Sequence, residues 1–470
     1  MSDTLKKVIR DKRTSIVPGV PTYYDLPEPS TLDYKAICCF VATGFFLEDD
    51  TYFTNRKAFL PGRQYRFDEH GNVLECLRHF QWHYSPRQLS FNQALEEFSH
   101  LLESIVEKET IAKKVILPIS GGLDSRTLAA ALKDHPDVYA YSYEFEGGIP
   151  ENSYGRKVAR AAGFSHDSFK IPNGYLWSII DTLALLNHCY AEFINPRQMA
   201  IWQQTKYKGN LYLLGHGGDL FFDGMGVEDN LSEEDQLDYL KKKLIRPVGL
   251  ELGATLWQVW GLEGNFKDYI FARFEKMLSE LPINNANTRL RAFKTEYYVG
   301  RWTATNLELF QQQQNISLPF FDDEMCKFIC TISESHLASR KLEIEYLKRS
   351  APAMASIPWQ KYYPCNLYDY ERFNTFPVKV QRAFIKGNRL VKEAFGKRGD
   401  TRNWELQFLG EDNDRQLKYY LNASSVDGLI PKSVLDTYYQ YFKHSPKEHW
   451  FTITMLLTLS LFSKHFLKKD

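Results

Sequence analysis

The sequence predicts an α/β protein: an open, parallel, twisted sheet with flanking helices, a helix-rich C-terminal half and a small β-rich N-terminal region. Three observations predict it. Apolar strand-like runs beginning at Val115, Asp137 and Leu211 alternate with helical patterns such as Glu151 to Ala162, the order that builds parallel sheets. Two of these strands run into glycine-rich turns, Ser120-Gly121-Gly122-Leu123-Asp124-Ser125 and Gly215-His216-Gly217-Gly218-Asp219. In open α/β sheets, ligands sit beyond the carboxyl ends of the strands. From about residue 230 onward, amphipathic stretches dominate, at Glu233 to Leu244, Asp268 to Leu278 and Arg289 to Phe310.

The elements follow in order. Residues 1–88 read as short strands and turns: Tyr34 to Leu47 is rich in β-branched and aromatic residues, and Pro61-Gly62 and Gly71-Asn72 mark turns. Ser90 with Gln93 three residues on forms a capping box for a helix whose apolar face carries Leu95, Phe98, Leu101, Leu102, Ile105 and Val106. That helix leads into the strand before the first glycine turn, and a main unit is expected over 89–395. A helical extension is expected over 396–470, packed on the main unit. Its apolar run from Trp450 to Phe462 is about 13 residues long, too short to span a bilayer, and reads as a buried helix.

Composition excludes several classes. Of 470 residues, 44% are apolar and 25% charged, which are globular values. Lys plus Arg and Asp plus Glu number 58 each, so no broad basic surface for nucleic acid is expected. The seven cysteines lack paired zinc-ligand spacing and predict reduced, buried thiols. The N-terminus has no apolar signal-peptide core, so a cytoplasmic protein with no membrane partner is expected.

The first glycine turn carries the chemistry. Gly121 and Gly122 let backbone N–H groups come close to phosphate oxygens, and the turn opens a helix whose first N–H groups and dipole favour an anion. Ser120 and Ser125 add hydroxyl donors. Asp124 suits a polyanion only if a hard cation such as Mg²⁺ bridges carboxylate and phosphate. The turn lacks the spacing and Lys of a P-loop and the Gly-x-Gly-x-x-Gly of a dinucleotide fold. In the second turn, Asp219 is placed to share that metal with Asp124.

Together the two turns resemble the synthetase domain of the asparagine synthetase B family, of the PP-loop ATP pyrophosphatase type, which includes β-lactam synthetases and lasso-peptide cyclases. The likeness extends to Glu151 to Arg160 with His166 beyond, and to Leu318-Pro319-Phe320-Phe321-Asp322, similar to the family's Val-Pro-Phe-Leu-Asp. Gly44 to Arg63 is similar to the end of the family's glutaminase domain, which makes residues 1–88 a truncated remnant of it and 89–395 the synthetase domain. The resemblance implies that Ser120, Gly121, Gly122, Asp124 and Ser125 hold the pyrophosphate of ATP, with Leu117, Ser142, Gly215 and Gly217 about the nucleotide. It implies Asp124 and Asp219 as ligands of Mg²⁺.

The chain also departs from the family. Ser2 stands where a working glutaminase has its catalytic Cys, so free ammonia, a partner amidotransferase or an amino group on the substrate is expected to supply nitrogen. His216 and Leu220 replace two glutamates of the second turn. Glu345 falls where the family has a lysine that stabilises the activated intermediate, with Lys341, Lys348 and Arg349 as nearby substitutes. Glu345 as a base, Lys348 as the cation and Arg301 as a carboxylate or phosphate binder are the expected catalytic residues. The resemblance thus implies an ATP- and Mg²⁺-dependent ligase that adenylates a small-molecule or peptide carboxylate and transfers it to ammonia or an amine, in specialised biosynthesis. The alternatives are a catalytically inactive nucleotide-binding partner subunit and another PP-loop ATP pyrophosphatase.

Overall fold

The computed structural model describes residues 6–9, 23–194, 197–380, 383, 401–422 and 429–467. Its N-terminal region holds β1 (Lys6–Ile9), β2 (Tyr23–Asp25), α1 (Tyr34–Thr43), β3 (Arg56–Ala58), β4 (Arg63–Phe67) and β5 (Val73–Arg78). β1, β4 and β5 form one antiparallel sheet, and β2 pairs with β3. The expected β-rich character holds except at α1, where the strand reading of Tyr34 to Leu47 is corrected to a helix. Asp33 caps α1 by accepting from the Ala36 N–H, and Gly44 ends it in the left-handed region at φ 84°. Ile37 to Val41 are all fully buried, so this helix is apolar on every side and shows no period a sequence reading could use.

The burial of α1 has a partner. It packs on the helix Pro247–Val259, where Gly249 and Gly253 let the backbones meet: a Cβ on Gly253 would strike the Phe266 ring and lie 3.0 Å from the Cys38 carbonyl oxygen. The C-terminal helix Pro446–Phe466 closes the same core, with Phe462 stacked on Tyr52 at 3.6 Å. This is the buried helix expected from Trp450 to Phe462. α1 therefore shares one hydrophobic core with the central sheet and the C-terminal helix. The boundary expected at 395/396 lies outside the described residues.

The central unit follows the α/β pattern. α2 (Phe91–Thr110) starts at the anticipated Ser90/Gln93 capping box and leads to β6 (Val115–Pro118). Then come α3 (Asp124–Ala131), β7 (Val138–Phe145), α4 (Glu151–Ala162), β8 (Ser165–Ile171), α5 (Leu176–Asn187), β9 (Leu211–Leu213) and, after the helical region, β10 (Asn315–Ser317). The five strands are all parallel in the order β10-β9-β6-β7-β8. Val115 pairs with Val138 on one side and Leu211 on the other. From β6 the chain builds outward through β7 and β8, then crosses back to place β9 on the opposite edge of β6. The carboxyl ends of β6 and β9 thus flank the switch point of the sheet, where a crevice forms.

The long helical stretch read at Arg289 to Phe310 is one continuous rod with a change of winding: α-helical over Ala286–Phe293, π-helical over Lys294–Thr303 and α-helical again over Ala304–Gln311. Among the described residues, no helix is long and apolar enough to cross a membrane. Among the described residues, none of the seven cysteines forms a disulfide, and Cys76 alone of them is exposed.

Replacing Gly253 by Ala should cost about 1–3 kcal/mol, the range for overpacking a close backbone contact. A fall in the urea midpoint with unchanged slope would register it.

Candidate active site

A cleft of about 660 Å³ opens at the switch point. Its floor is the two glycine turns, represented by Ser120, Asp124, Ser125, Gly215, His216, Gly217 and Asp219, with Tyr141, Ser142 and Tyr143 of β7 alongside. The opposite wall is the rod bearing Lys294, Tyr298, Trp302 and Phe310.

In the first turn, the Ser120 N–H donates to Ser125 Oγ at 3.1 Å and the Gly122 N–H to Ser120 Oγ at 3.2 Å. The Gly121 N–H donates to Glu151 Oε2 at 3.2 Å, and the Gln360 side-chain amide donates to Glu151 Oε1 at 2.5 Å. Gln360 lies so close that a Cβ on Gly121 would meet its side chain at 2.6 Å. Arg126, fully buried in α3, holds that segment in place by donating to the carbonyls of Met354, Ile357 and Pro358.

The second turn touches the first through Asp124. A Cβ on Gly215 would lie 3.0 Å from the Asp124 Cβ, and one on Gly218 would lie 2.6 Å from Asp124 Oδ1. The Asp219 backbone N–H lies near the Asp124 carboxylate and favours its charged form. Gly217 adopts φ 98° with the Phe321 ring against its Cα, so the Leu318 to Asp322 segment packs beneath this turn. Arg291, buried, donates to the carbonyls of Leu220 and Asp223 and is gripped by Glu334 at 2.5 and 2.7 Å, which pins the far end of the turn.

Behind Asp124 lies Arg340. Ser339 and Arg340 are consecutive non-glycine residues at φ 61°, a strained pair, and the Ser339 N–H donates to Asp223 Oδ1 at 3.0 Å. This kink delivers the Arg340 guanidinium onto Asp124 Oδ1 and, at 2.5 Å, onto Glu343, which is wholly buried and also accepts from Thr127. Burial pushes Glu343 up to about 7 against the pull of Arg340. Burial likewise raises Asp124 to about 6; Arg340 opposes the rise and Asp219 adds to it. Burial pushes His216 down to about 4, although Asp219 opposes this, so its imidazole is neutral; its Nδ1 has no hydrogen-bond partner. Burial also lowers Lys294, again against Asp219.

The expected residues divide accordingly. Ser120, Asp124, Ser125, Ser142, Gly215, Gly217 and Asp219 meet in the cleft. Gly121 and Gly122 shape the first turn beside it. Leu117 is fully buried in β6. The expected catalytic residues are corrected, because none of them lines the cleft. Glu345 and Lys348 pair with each other at 2.7 Å one helical turn apart, and the two outward charges satisfy one another. Arg301 is buried and donates to the carbonyls of Glu48 at 2.5 Å and Asp50 at 2.7 Å, a structural clamp. Lys341 donates to the Ser335 carbonyl and Arg349 to Asn92. Unanticipated were Arg340, Glu343, Gln360 and Lys294, the one Lys or Arg among the residues lining the cleft.

Two carboxylates and no further ligand cluster suit Mg²⁺, which binds through one or two carboxylates and completes its shell with phosphate and water. Among the described residues, no group of three or more His, Cys, Asp or Glu could hold a metal without such help.

Paired glycine turns at the switch point of a parallel sheet, the first opening a helix and the second bringing an acid to it, define the PP-loop ATP pyrophosphatase class. Within that class, the chain belongs to the asparagine synthase family, whose description Asparagine synthase matches residues 97–352. It is accordingly an ATP-dependent ligase. No curated protein matches the chain. Among solved structures, it is similar to NMN synthetase from Francisella tularensis, at 13% identity and TM-score 0.23, covering 44% of this chain and 94% of that one. It is also similar to the NH3-dependent NAD synthetase from Campylobacter jejuni, at 14% identity and TM-score 0.21, covering 47% and 96%.

Gly218→Ala should drive a methyl into Asp124 and weaken ATP binding by about tenfold or more, read by calorimetry, since the carboxylate at the centre of the cleft floor is displaced. Arg340→Met strands the buried Glu343 charge and should cost about 3–5 kcal/mol. In urea melts, adding Glu343→Gln should recover part of that loss.

Proposed function

We propose that this chain is an AMP- and pyrophosphate-forming carboxylate–amine ligase of specialised biosynthesis. The observation that carries this reading is the meeting of Asp124 and Asp219 at the lip of the first glycine turn. A carboxylate oxygen attacks the α-phosphorus of ATP, a P–O bond forms and the bond to the β-phosphate breaks, releasing pyrophosphate. An amine or ammonia then attacks the acyl carbon, AMP leaves, and the nitrogen gives its extra proton to solvent.

Each residue has a role in this scheme. The hydroxyls of Ser120 and Ser125, each oriented by accepting a backbone N–H of the first turn, donate to the charge building on the pyrophosphate, preorganised donors of the kind that lower such barriers. Asp124 and Asp219 would hold Mg²⁺, and the bound metal would supply Lewis-acid neutralisation of the phosphates. Ser142 stands where the nucleoside would lie; its hydroxyl donates to Asn152 at 2.8 Å and meets His166 Nε2 at 3.1 Å. Gly215 and Gly217 leave room for Asp124 and the Phe321 ring, which brings the second turn to the same cleft as the first. Arg340 positions Asp124 so that its free edge, a quarter of the side chain, faces solvent.

One observation favours a second reading, a nucleotide-binding subunit without turnover. The Glu151 carboxylate already accepts the Gly121 N–H, and a neutral amide, Gln360, covers that glycine.

Pyrophosphate release from ATP, Mg²⁺ and a panel of carboxylates with hydroxylamine separates the two. The ligase reading expects acid-dependent release that falls about 100-fold or more in Asp219→Asn, as for other electrostatic groups at a reacting phosphate. ATP binding without release from any acid would favour the second.

A further inference from the structure

The wall of the cleft opposite the glycine turns is built on a regular interval that the ligase reading does not use. Lys294, Tyr298, Trp302, Asn306 and Phe310 are each half-buried and each line the cleft, four residues apart. Between them, every residue except Ala304 is buried. In an α-helix, a stripe of this spacing rotates by about 40° at each step and would turn through about 160° between positions 294 and 310, carrying its ends to opposite faces. The π-helical turns over Lys294–Thr303 reverse the drift. Their wider i to i+5 bonding makes four residues fall short of a full turn instead of exceeding it. The change of winding at Ala304 lets the two halves cancel, and five side chains stay on one line facing the cleft.

The stripe is stiff and graded. Tyr298 and Trp302 stack at 5.5 Å and 11° between planes, an offset pair in which each ring fixes the plane of the other. Phe45 braces Tyr298 from behind, edge-on at 5.3 Å, and Phe310 stands edge-on to Tyr212 at 5.1 Å. The Asn306 amide donates to the Trp302 carbonyl at 2.9 Å, tying the aromatic pair to the next turn. At the end of the stripe nearest Asp219 stands Lys294, whose ammonium makes no ion pair or hydrogen bond among the described residues. One end therefore offers a cation beside the metal-binding acid, and the middle offers a rigid aromatic face of a kind that takes flat rings by offset stacking.

We propose that this wall selects an aromatic carboxylic acid as the substrate to be activated, its ring stacking against the Tyr298–Trp302 pair and its carboxylate drawn to Lys294 beside Asp219. This rests on the ligase reading above. Lys294 neutralises the carboxylate as it nears the triphosphate, where two anions would otherwise repel each other, and the aromatic face fixes the ring so that the carboxylate points to the α-phosphorus.

The test uses the full-length protein with ATP and Mg²⁺, and it pairs benzoate and indole-3-acetate with cyclohexanecarboxylate and acetate. Pyrophosphate release and calorimetric binding are both read for each acid. Aryl acids are expected to exceed cyclohexanecarboxylate, which matches benzoate in size but is not flat, by about tenfold or more in kcat/KM. Trp302→Ala should abolish that preference with ATP affinity unchanged, whereas Trp302→Phe, which keeps a flat ring, should retain it. Lys294→Met should weaken binding of every acid but not of benzamide. Turnover of an aliphatic acid as fast as the aryl acids would leave the ligase reading intact and overturn this one. So would a loss of ATP binding in Trp302→Ala with acid preference unchanged, because the wall would then hold the adenine. If no acid is turned over, the ligase reading fails, and calorimetry still decides: aryl binding that depends on Trp302 supports the aromatic site, and its absence overturns it.

Discussion

Asp124 is the point at which the molecule is drawn together. It begins α3, lies against the bare backbone of Gly215 and Gly218, and is held from behind by Arg340. Two distant stretches of chain, the 215–219 turn and the kink at Arg340, converge on one carboxylate, and the turn can do so only because Gly215 and Gly218 carry no Cβ there. The arrangement concentrates negative charge that a single guanidinium only partly offsets, with Asp124, Asp219 and Glu343 around Arg340. Such a site is costly for a protein to bury and well suited to a cation carried by a polyphosphate.

The surrounding structure holds that convergence in place. Arg291 and Glu334 pin the end of the second turn, while Phe221 against Phe321 and Phe222 against Phe320 support it from below. Arg126 donates from both terminal guanidinium nitrogens to three carbonyls of the segment that brings Gln360 over the first turn. These buried charges add little net stability in a protein core, since desolvation offsets most of the attraction, but they tolerate only one geometry. The site is specified by polar constraints set inside an apolar core that runs from α1 to the C-terminal helix.

How much of this was legible varied with the range of the interaction responsible. The Ser90/Gln93 cap, α4, the start of β7 and the two glycine turns could be read because each depends on neighbours within a few positions. α1 could not, because an apolar surface all round erases the period that distinguishes helix from strand. β8 and β10 were missed as well. β8 is largely polar, and β10 has three residues, so their strand character comes from pairing with β7 and β9. The catalytic expectation at Glu345 and Lys348 failed for a related reason: position along a helix does not say which face meets the cleft, and that helix turns Glu343 inward instead.

From the linear order of residues alone came the class of the fold, the two glycine turns that meet in the cleft, and the pair of acids suited to a shared metal. Those features follow from local backbone freedom and from strand–helix alternation, both written in short stretches of chain. Only the tertiary structure decided which cations reach them. Arg340 arrives through a left-handed kink 216 residues beyond Asp124, and Lys294 arrives because a π-helical stretch holds its stripe toward the cleft. Long side chains are placed by the packing of distant elements, and no local pattern carries that information.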